Sequence, residues 1–340
     1  MRVSRKTKRI GLTLGDPSGI GPELVAKVLD GCAFPADVEI IVIGDGKILT
    51  NGGAAAGVTC ALPGVTGPDD ASIEAGRPVL LQFPAVGADP IPVGEVSEAA
   101  GRSAFETLQY TIGLARSGRI DGFVYAPLNK QALHLAGCPY SSELEFFKSA
   151  FDCPAGENEL NVLDGIWTTR VTSHIPLADV AAAITRERVL ATIRYIDDVL
   201  KKAGRAMPRL AVTALNPHAG ENGLFGREEI DVILPAIEDA RRLGVTADGP
   251  FPADTVFLRV RDGSYDGVVS MYHDQGQIAM KLIGFERGVT VAAGMPVPIA
   301  TPAHGTAHDI AGRGIANTGA ITEAIRVACA MVEGGFNRAE

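Results

Sequence analysis

Three of the six histidines in this 340-residue chain, His174, His218 and His273, stand just past the end of a predicted strand. His174 follows Arg170-Val171-Thr172-Ser173, His218 follows Leu215-Asn216-Pro217, and His273 follows Met271-Tyr272. Pro217 cannot continue a central strand, because it has no N–H to give to the ladder. In open α/β sheets ligands gather beyond the carboxyl ends of the strands, so three imidazoles far apart in sequence could converge there. Imidazole suits zinc, cobalt and nickel, and three protein ligands leave a position for water or substrate. The spacing is not a compact motif such as HExxH. It leaves two readings open, a divalent-metal site or three histidines hydrogen-bonded at strand ends for structural reasons. Asp254, in Pro252-Ala253-Asp254-Thr255, is open in the same way between a helix cap and a carboxylate near the metal. Cys138 sits in a loop with no basic or helix-N-terminal setting to activate it, and reads as structural.

The elements that must position these residues alternate between short apolar runs and helical patterns, the signature of α/β architecture. Predicted strands are 10–14, 38–43, 79–83, 122–125, 210–215, 267–271 and 289–293. Pro22 is suited to a first helical turn. Thr185 can cap a helix whose apolar positions Val189, Ile193, Ile196 and Leu200 repeat at helical spacing, and Gly204 ends it. A helix over 228–243 is expected to kink near Pro235, and a last helix covers 321–332. Residues 51–97, rich in Gly, Ala and Pro, show no clear organisation beyond their one strand. With no repeat and no linker, the expectation is two α/β domains sharing one cleft, the chain crossing between them. The first comprises 1–130 plus 300–340, and the second, 131–299, carries the metal ligands and dimer contacts.

Composition narrows the function class. Hydrophobic residues make up 46%, enough for a sizeable core, and the net charge is −9 from 31 basic and 40 acidic residues. Phosphate affinity comes from clustered Lys and Arg, so no nucleic-acid partner is expected; the one basic run, Arg2 to Arg9, reads as a solvated start. No stretch approaches a membrane span, and no apolar segment follows the basic start as in a signal peptide. The five cysteines are scattered without CxxC spacing and read as reduced thiols. The expected location is the cytoplasm.

The segment His304-Gly305-Thr306-Ala307-His308-Asp309-Ile310-Ala311-Gly312-Arg313-Gly314-Ile315-Ala316-Asn317 resembles the adenosine-binding loop of isocitrate and isopropylmalate dehydrogenases. Glycine lets a backbone approach adenine, and an Asp accepting from the ribose hydroxyls favours NAD. The resemblance makes His304, Gly305, Thr306, Ala307, Asp309 and Asn317 the cofactor-binding candidates. Gly15 to Gly21 lacks GxGxxG spacing, yet Gly15-Asp16…Gly19-Ile20-Gly21-Pro22-Glu23 is similar to the N-terminal loop of that superfamily.

Across the whole chain, Leu14 to Glu23, Ala126 to Lys130, Thr172 to Thr185, Asn216 to Glu221, Pro252 to Thr255 and Met271 to Gly276 resemble the 4-hydroxythreonine-4-phosphate dehydrogenase (PdxA) family. The resemblance implies a two-domain α/β/α fold of the isocitrate/isopropylmalate dehydrogenase-like type, with the cleft between domains. It implies a homodimer with the active site near the subunit interface. It also implies NAD-dependent oxidation of a secondary alcohol of a hydroxy acid, then loss of CO2 from the β-keto product. His174, His218 and His273 match the metal ligands, with zinc expected ahead of cobalt, nickel, manganese or magnesium. Lys281 matches a substrate-binding lysine that could hold an anionic group or act as an acid, and with Asp254 makes up the catalytic candidates.

The chain departs from the family pattern at substrate-binding positions. A His-Thr pair is replaced by Glu143 and Leu144, an Asn by Thr290 and an Arg by Ile299. A carboxylate repels a phosphate dianion, and Ile does not replace a bidentate Arg. These changes point to a non-phosphorylated substrate such as terephthalate cis-dihydrodiol. A non-catalytic sugar-acid binding protein would not need both metal ligands and nucleotide loop, and a metal-dependent lyase would not need the loop.

Overall fold

A computed structural model describes residues 7–31, 34–84, 91–153, 159–292 and 294–334. The first residues of the basic run, Cys32 and Ala293 lie outside them. In chain order the strands are β1 (Lys8–Thr13), β2 (Val38–Gly44), β3 (Gly64–Val65), β4 (Val79–Gln82), β5 (Gly122–Tyr125), β6 (Glu159–Leu163), β7 (Ile166–Arg170), β8 (Arg209–Thr213), β9 (Thr246–Phe251), β10 (Gly267–Ser270), β11 (Val289–Ala292) and β12 (Ile299–Pro302). Two compact units emerge, Met1–Ala155 with Val289–Glu340, and Gly156–Gly288. Segments 131–155 and 289–299 thus fall in the first unit, where the sequence expectation had put them in the second.

In the first unit the strand order is β3-β4-β2-β1-β5-β12-β11. All its described pairings are parallel except β11 with β12. Every residue of β2 is buried, as expected of a parallel strand covered on both faces. Ile41 and Ile43 point into a cluster with Leu108 and Ile112 of helix Glu98–Arg116, and with Phe123 and Phe147. The chain leaves β1 to one side for β2 and returns to its other side at β5, so the loops after β1 and β5 flank a topological switch point. Helix Gly21–Gly31 starts from the first of these loops.

In the second unit the order is β6-β7-β10-β8-β9. β6 and β7 form an antiparallel hairpin closed by Asp164 and Gly165, both at positive φ. That backbone suits a two-residue turn between twisted strands. β10 lies between β7 and β8 and is parallel to both. Helix Arg186–Lys202 is capped by Thr185, whose hydroxyl accepts from the Arg188 N–H. Its Val189, Ile193, Ile196 and Leu200 are buried, as the spacing implies. Residues Glu229–Ile233 form a widened π turn leading into helix Leu234–Arg242. The irregularity expected at Pro235 is thus a wide turn just ahead of it. Among the described residues no helix is long and apolar enough to cross a membrane.

Candidate active site

Parallel strands send their carboxyl ends to one edge, and β7, β10 and β8 are consecutive neighbours. His174, His218 and His273 therefore leave from one edge of the second unit. The His174 and His273 rings are 5.6 Å apart, centroid to centroid. The loops that carry these two are laced together, since Thr172 donates through both N–H and Oγ1 to the Met271 carbonyl at 3.0 and 2.8 Å. Buried Arg170 anchors the His174 loop by donating to Ser173 Oγ, Asn161 Oδ1 and Glu159 Oε2. His273 begins helix His273–Gly284, with Nδ1 2.7 Å from Asp274 Oδ1.

His218 is held differently. Residues 218–222 all have left-handed backbone, with φ of 54° at His218, 55° at Ala219, 77° at Gly220, 43° at Glu221 and 56° at Asn222. This turn lines an open cavity of about 640 Å³ shared with Asp254, Tyr272, Asp274, Gln275 and Phe257. Gln275 ties the two strand ends that border the cavity. Its Oε1 accepts from the Met271 N–H and Thr213 Oγ1, and its Nε2 donates to the Ala214 carbonyl.

The chemistry of three imidazoles on one edge fits a borderline divalent cation. Two of them are adjacent and the third lines the neighbouring cavity. Among the described residues no three His, Cys, Asp or Glu side chains are gathered closely enough within the chain to hold an ion. Asp254 is not a helix cap: Pro252 occupies that position, and Asp254 lies in the first turn with its exposed carboxylate on the cavity wall. Lys281 is exposed in the last turn of the His273 helix. Eight residues at the helical rise put it roughly 12 Å from His273 along the axis, so the fold does not bring it to the histidines.

In the first unit the loop 304–317 lies against the switch point. The Ile20 N–H donates to the Thr306 carbonyl at 3.0 Å, and a Cβ at Gly19 would come within 2.8 Å of Thr306. Buried Glu23 accepts from the Gly314 and Ala316 N–H groups, while Lys27 pairs with Glu23 and donates to the carbonyls of the same two residues. Gly314 has φ of 70°, and a side chain there would strike the Ala55 carbonyl at 2.3 Å. His304, Gly305, Ala307 and Asp309 stay at least partly open, Thr306 is buried, and the Asn317 carboxamide accepts from the Gly319 N–H as the last helix begins. Sequence reasoning missed three residues here. Ser18 donates to Asp16 Oδ1 and lies 3.3 Å from His308 Nε2, while the buried Asp16 Oδ2 has no hydrogen-bond partner among the described residues and sits 4.0 Å from the same Nε2. The signal lay in the quoted Gly-Asp-Pro-Ser and Ala-His-Asp segments.

The residues expected to reshape the substrate pocket are placed otherwise. Ile299 is 0% exposed in β12, packed in the core, and so lines no cavity surface. Leu144 packs on the same core. Glu143 begins helix Glu143–Ala150 with its carboxylate 4.0 Å from Lys130 Nζ, a cation that offsets its charge. Thr290 is half-buried in β11, opposite Thr301. Cys138 is buried in a small apolar cluster with Ala104 and Leu133, and burial pushes the Cys329 thiol up to about 12. Among the described residues Cys60, Cys138 and Cys329 are free thiols.

The chain matches the family model described as "Pyridoxal phosphate biosynthetic protein PdxA" over residues 36–328. It is 47% identical over 325 residues to a Pseudomonas aeruginosa protein provisionally named 4-hydroxythreonine-4-phosphate dehydrogenase 2, covering 95% of this chain and 96% of the relative. The D-threonate 4-phosphate dehydrogenase of Cupriavidus necator is 39% identical over 318 residues, covering 93% of this chain and 95% of the relative. Among solved structures, 4-hydroxythreonine-4-phosphate dehydrogenase from Klebsiella pneumoniae superposes with a TM-score of 0.84 at 36% identity, over 97% of this chain and 99% of that one. A terephthalate 1,2-cis-dihydrodiol dehydrogenase from Burkholderia xenovorans gives 0.67 at 28% identity, over 96% and 98%. A beta-decarboxylating dehydrogenase from Thermococcus kodakarensis gives 0.50 at 17% identity, over 96% and 83%, which shows the shared fold and nothing finer.

Proposed function

The chain belongs to the PdxA family and is an oxidoreductase acting on a CH–OH group, and on that premise we propose that it is a cytoplasmic, metal-dependent, NAD-linked dehydrogenase of a phosphorylated hydroxy acid, with decarboxylation of the β-keto product. The observation that carries this reading is the adjacency of β7, β10 and β8, which sends His174, His273 and His218 to one edge. The names of the relatives at 47% and 39% identity support a phosphorylated substrate. Two of the three departures that favoured an unphosphorylated one lose their force, because Glu143 is paired with Lys130 and Ile299 is buried. A non-catalytic binding protein is set aside by the family.

In this reading His174, His218 and His273 hold a divalent cation, zinc first, and loop 304–317 holds NAD. The cation supplies Lewis acidity at the substrate's hydroxyl oxygen and the nicotinamide supplies a hydride acceptor. Asp254, on the cavity wall beside His218, takes the hydroxyl proton as the carbinol C–H bond breaks and the carbonyl forms. The carbon–carboxylate bond then breaks, its electron pair stays on the α-carbon, and a proton delivered there completes the product. Lys281, exposed and roughly 12 Å along the helix from His273, binds the anionic end of the substrate. Asp309 accepts from the ribose hydroxyls, which favours NAD over its 2′-phosphorylated form. The protein works as a homodimer with the site near the subunit interface. Large apolar side chains left exposed on the second unit, among them Leu177, Leu224, Phe225, Ile278 and Leu282, are a surface of the kind that self-association covers.

NADH formation from 4-phosphohydroxythreonine, threonate 4-phosphate, their dephosphorylated forms and a cis-dihydrodiol tests the substrate class. Turnover of a phosphorylated acid with the dephosphorylated acid inert is the expected result. Efficient turnover of the dihydrodiol alone would overturn it.

A further inference from the structure

The turn that carries His218 is an unusual backbone to find at a candidate ligand. A residue with a Cβ is disfavoured in left-handed conformation, because the Cβ crowds the following carbonyl oxygen, and four of the five residues 218–222 have one. Something must hold the turn against relaxing. At its start Pro217 has no N–H to give, and at its end the Leu224 and Phe225 N–H groups donate to the Glu221 and Gly220 carbonyls.

The support converges on one buried side chain. Glu229 is 3% exposed and sits in the widened turn Glu229–Ile233. Its Oε1 accepts from the Leu215 and Asn216 N–H groups, both at 2.8 Å, and its Oε2 accepts from Asn216 Nδ2 at 3.0 Å. Glu228 holds the same Asn216 amide from the other side at 2.7 Å. The left-handed turn then packs on the carboxylate, because a side chain at Gly220 would meet Glu229 Oε2 at 2.6 Å. Three donors fix the backbone two residues ahead of His218, and a carboxylate oxygen fills the space under the turn two residues after it.

We infer that Glu229 is a positioning residue for His218, presenting its imidazole to the metal by clamping the chain on either side of it. The inference rests on the metal reading above. A carboxylate accepting peptide N–H bonds in a buried place is stronger than its neutral amide counterpart, and an amide at 229 must also turn one N–H toward a donor. Groups that orient metal ligands from behind are worth about 10–100-fold in metal affinity.

The test is zinc affinity, measured by competition with a chromophoric chelator, on the full-length protein and on Glu229→Gln, Gly220→Ala, His218→Ala and Asp197→Asn. Asp197 is equally buried in the same unit and pairs with Lys201 at 2.7 Å, away from the histidines. Glu229→Gln and Gly220→Ala are expected to bind zinc about 10–100-fold more weakly, to exchange amide hydrogens faster over 215–222, and to recover turnover in saturating zinc. Asp197→Asn is expected to lower the melting temperature with zinc affinity unchanged. If His218→Ala loses affinity while Glu229→Gln and Gly220→Ala keep it, the positioning role is wrong and the metal reading stands. If His218→Ala itself keeps wild-type affinity, both fall.

Discussion

Loop 304–317 of the first unit and the histidine edge of the second are built on opposite plans. The loop is continuous in sequence, and one ion pair, buried Glu23 with half-buried Lys27, holds the N–H groups and carbonyls of Gly314 and Ala316 from behind. The histidine edge carries residues that lie 44 and 55 positions apart, each past its own strand end and each with its own brace: Arg170 behind His174, Glu229 behind His218, Gln275 behind His273. A site drawn from one segment is pre-formed by local contacts. A site drawn from three depends on strand order, and small errors in any brace reach the chemistry.

The largest contrast is expected from removing one of the proposed metal ligands. His273→Ala should lower kcat/KM by roughly 10³-fold or more, since a catalytic cation supplies several kcal/mol of charge stabilisation. NAD affinity by titration should be unchanged. Next comes Glu23→Ala, which strands Lys27 and two loop N–H groups. It should cost on the order of 3 kcal/mol in urea unfolding and raise the KM for NAD, with zinc affinity intact. Asp309→Ala should weaken NAD binding about tenfold, by loss of charge-assisted hydrogen bonds, and narrow the preference over NADP, with little change in stability.

The smallest effect concerns neither region. Hydrogen bonds from Arg186, then Arg242, hold the Asp239 carboxyl down to about 2 from 3.8. A depressed carboxylate contributes stability above its ordinary range and loses it as pH falls through the folded value. Asp239→Asn should therefore flatten the acid limb of the stability curve between pH 4 and 2, measured by thermal melts, and leave both sites untouched.

The same contrast explains what was readable in the sequence. The loop stood out in the sequence because its glycines and Asp309 lie in one segment. The strands ahead of His218 and His273 were legible as apolar runs, and so was the Thr185 cap, whereas β7 ahead of His174, with Thr168, Thr169 and Arg170, offers no such run. Strand order was not, because only tertiary packing puts β10 between β7 and β8. Two local signals went unread. Asp164-Gly165 between two alternating runs marks a hairpin, and Ser97 with Glu98 marks the start of helix Glu98–Arg116, whose Ala- and Gly-rich face hid its periodicity. The braces Glu229 and Gln275 looked like ordinary helical polar residues, since the partners of Glu229 lie 13 or 14 positions away and two of Gln275's lie 61 and 62 away. The settings of Glu143 and Ile299 were hidden for a related reason: neither Lys130 beside Glu143 nor the core around Ile299 can be seen from the aligned residue alone.

The most direct measurement is NADH formation from a phosphorylated hydroxy acid by enzyme stripped of metal with a chelator, then titrated with zinc, for the wild type and His218→Ala in parallel. The account predicts no turnover in the stripped wild type, recovery as zinc saturates about one site per subunit, and no comparable recovery in His218→Ala. Full turnover by stripped enzyme, or equal recovery in the variant, would contradict it.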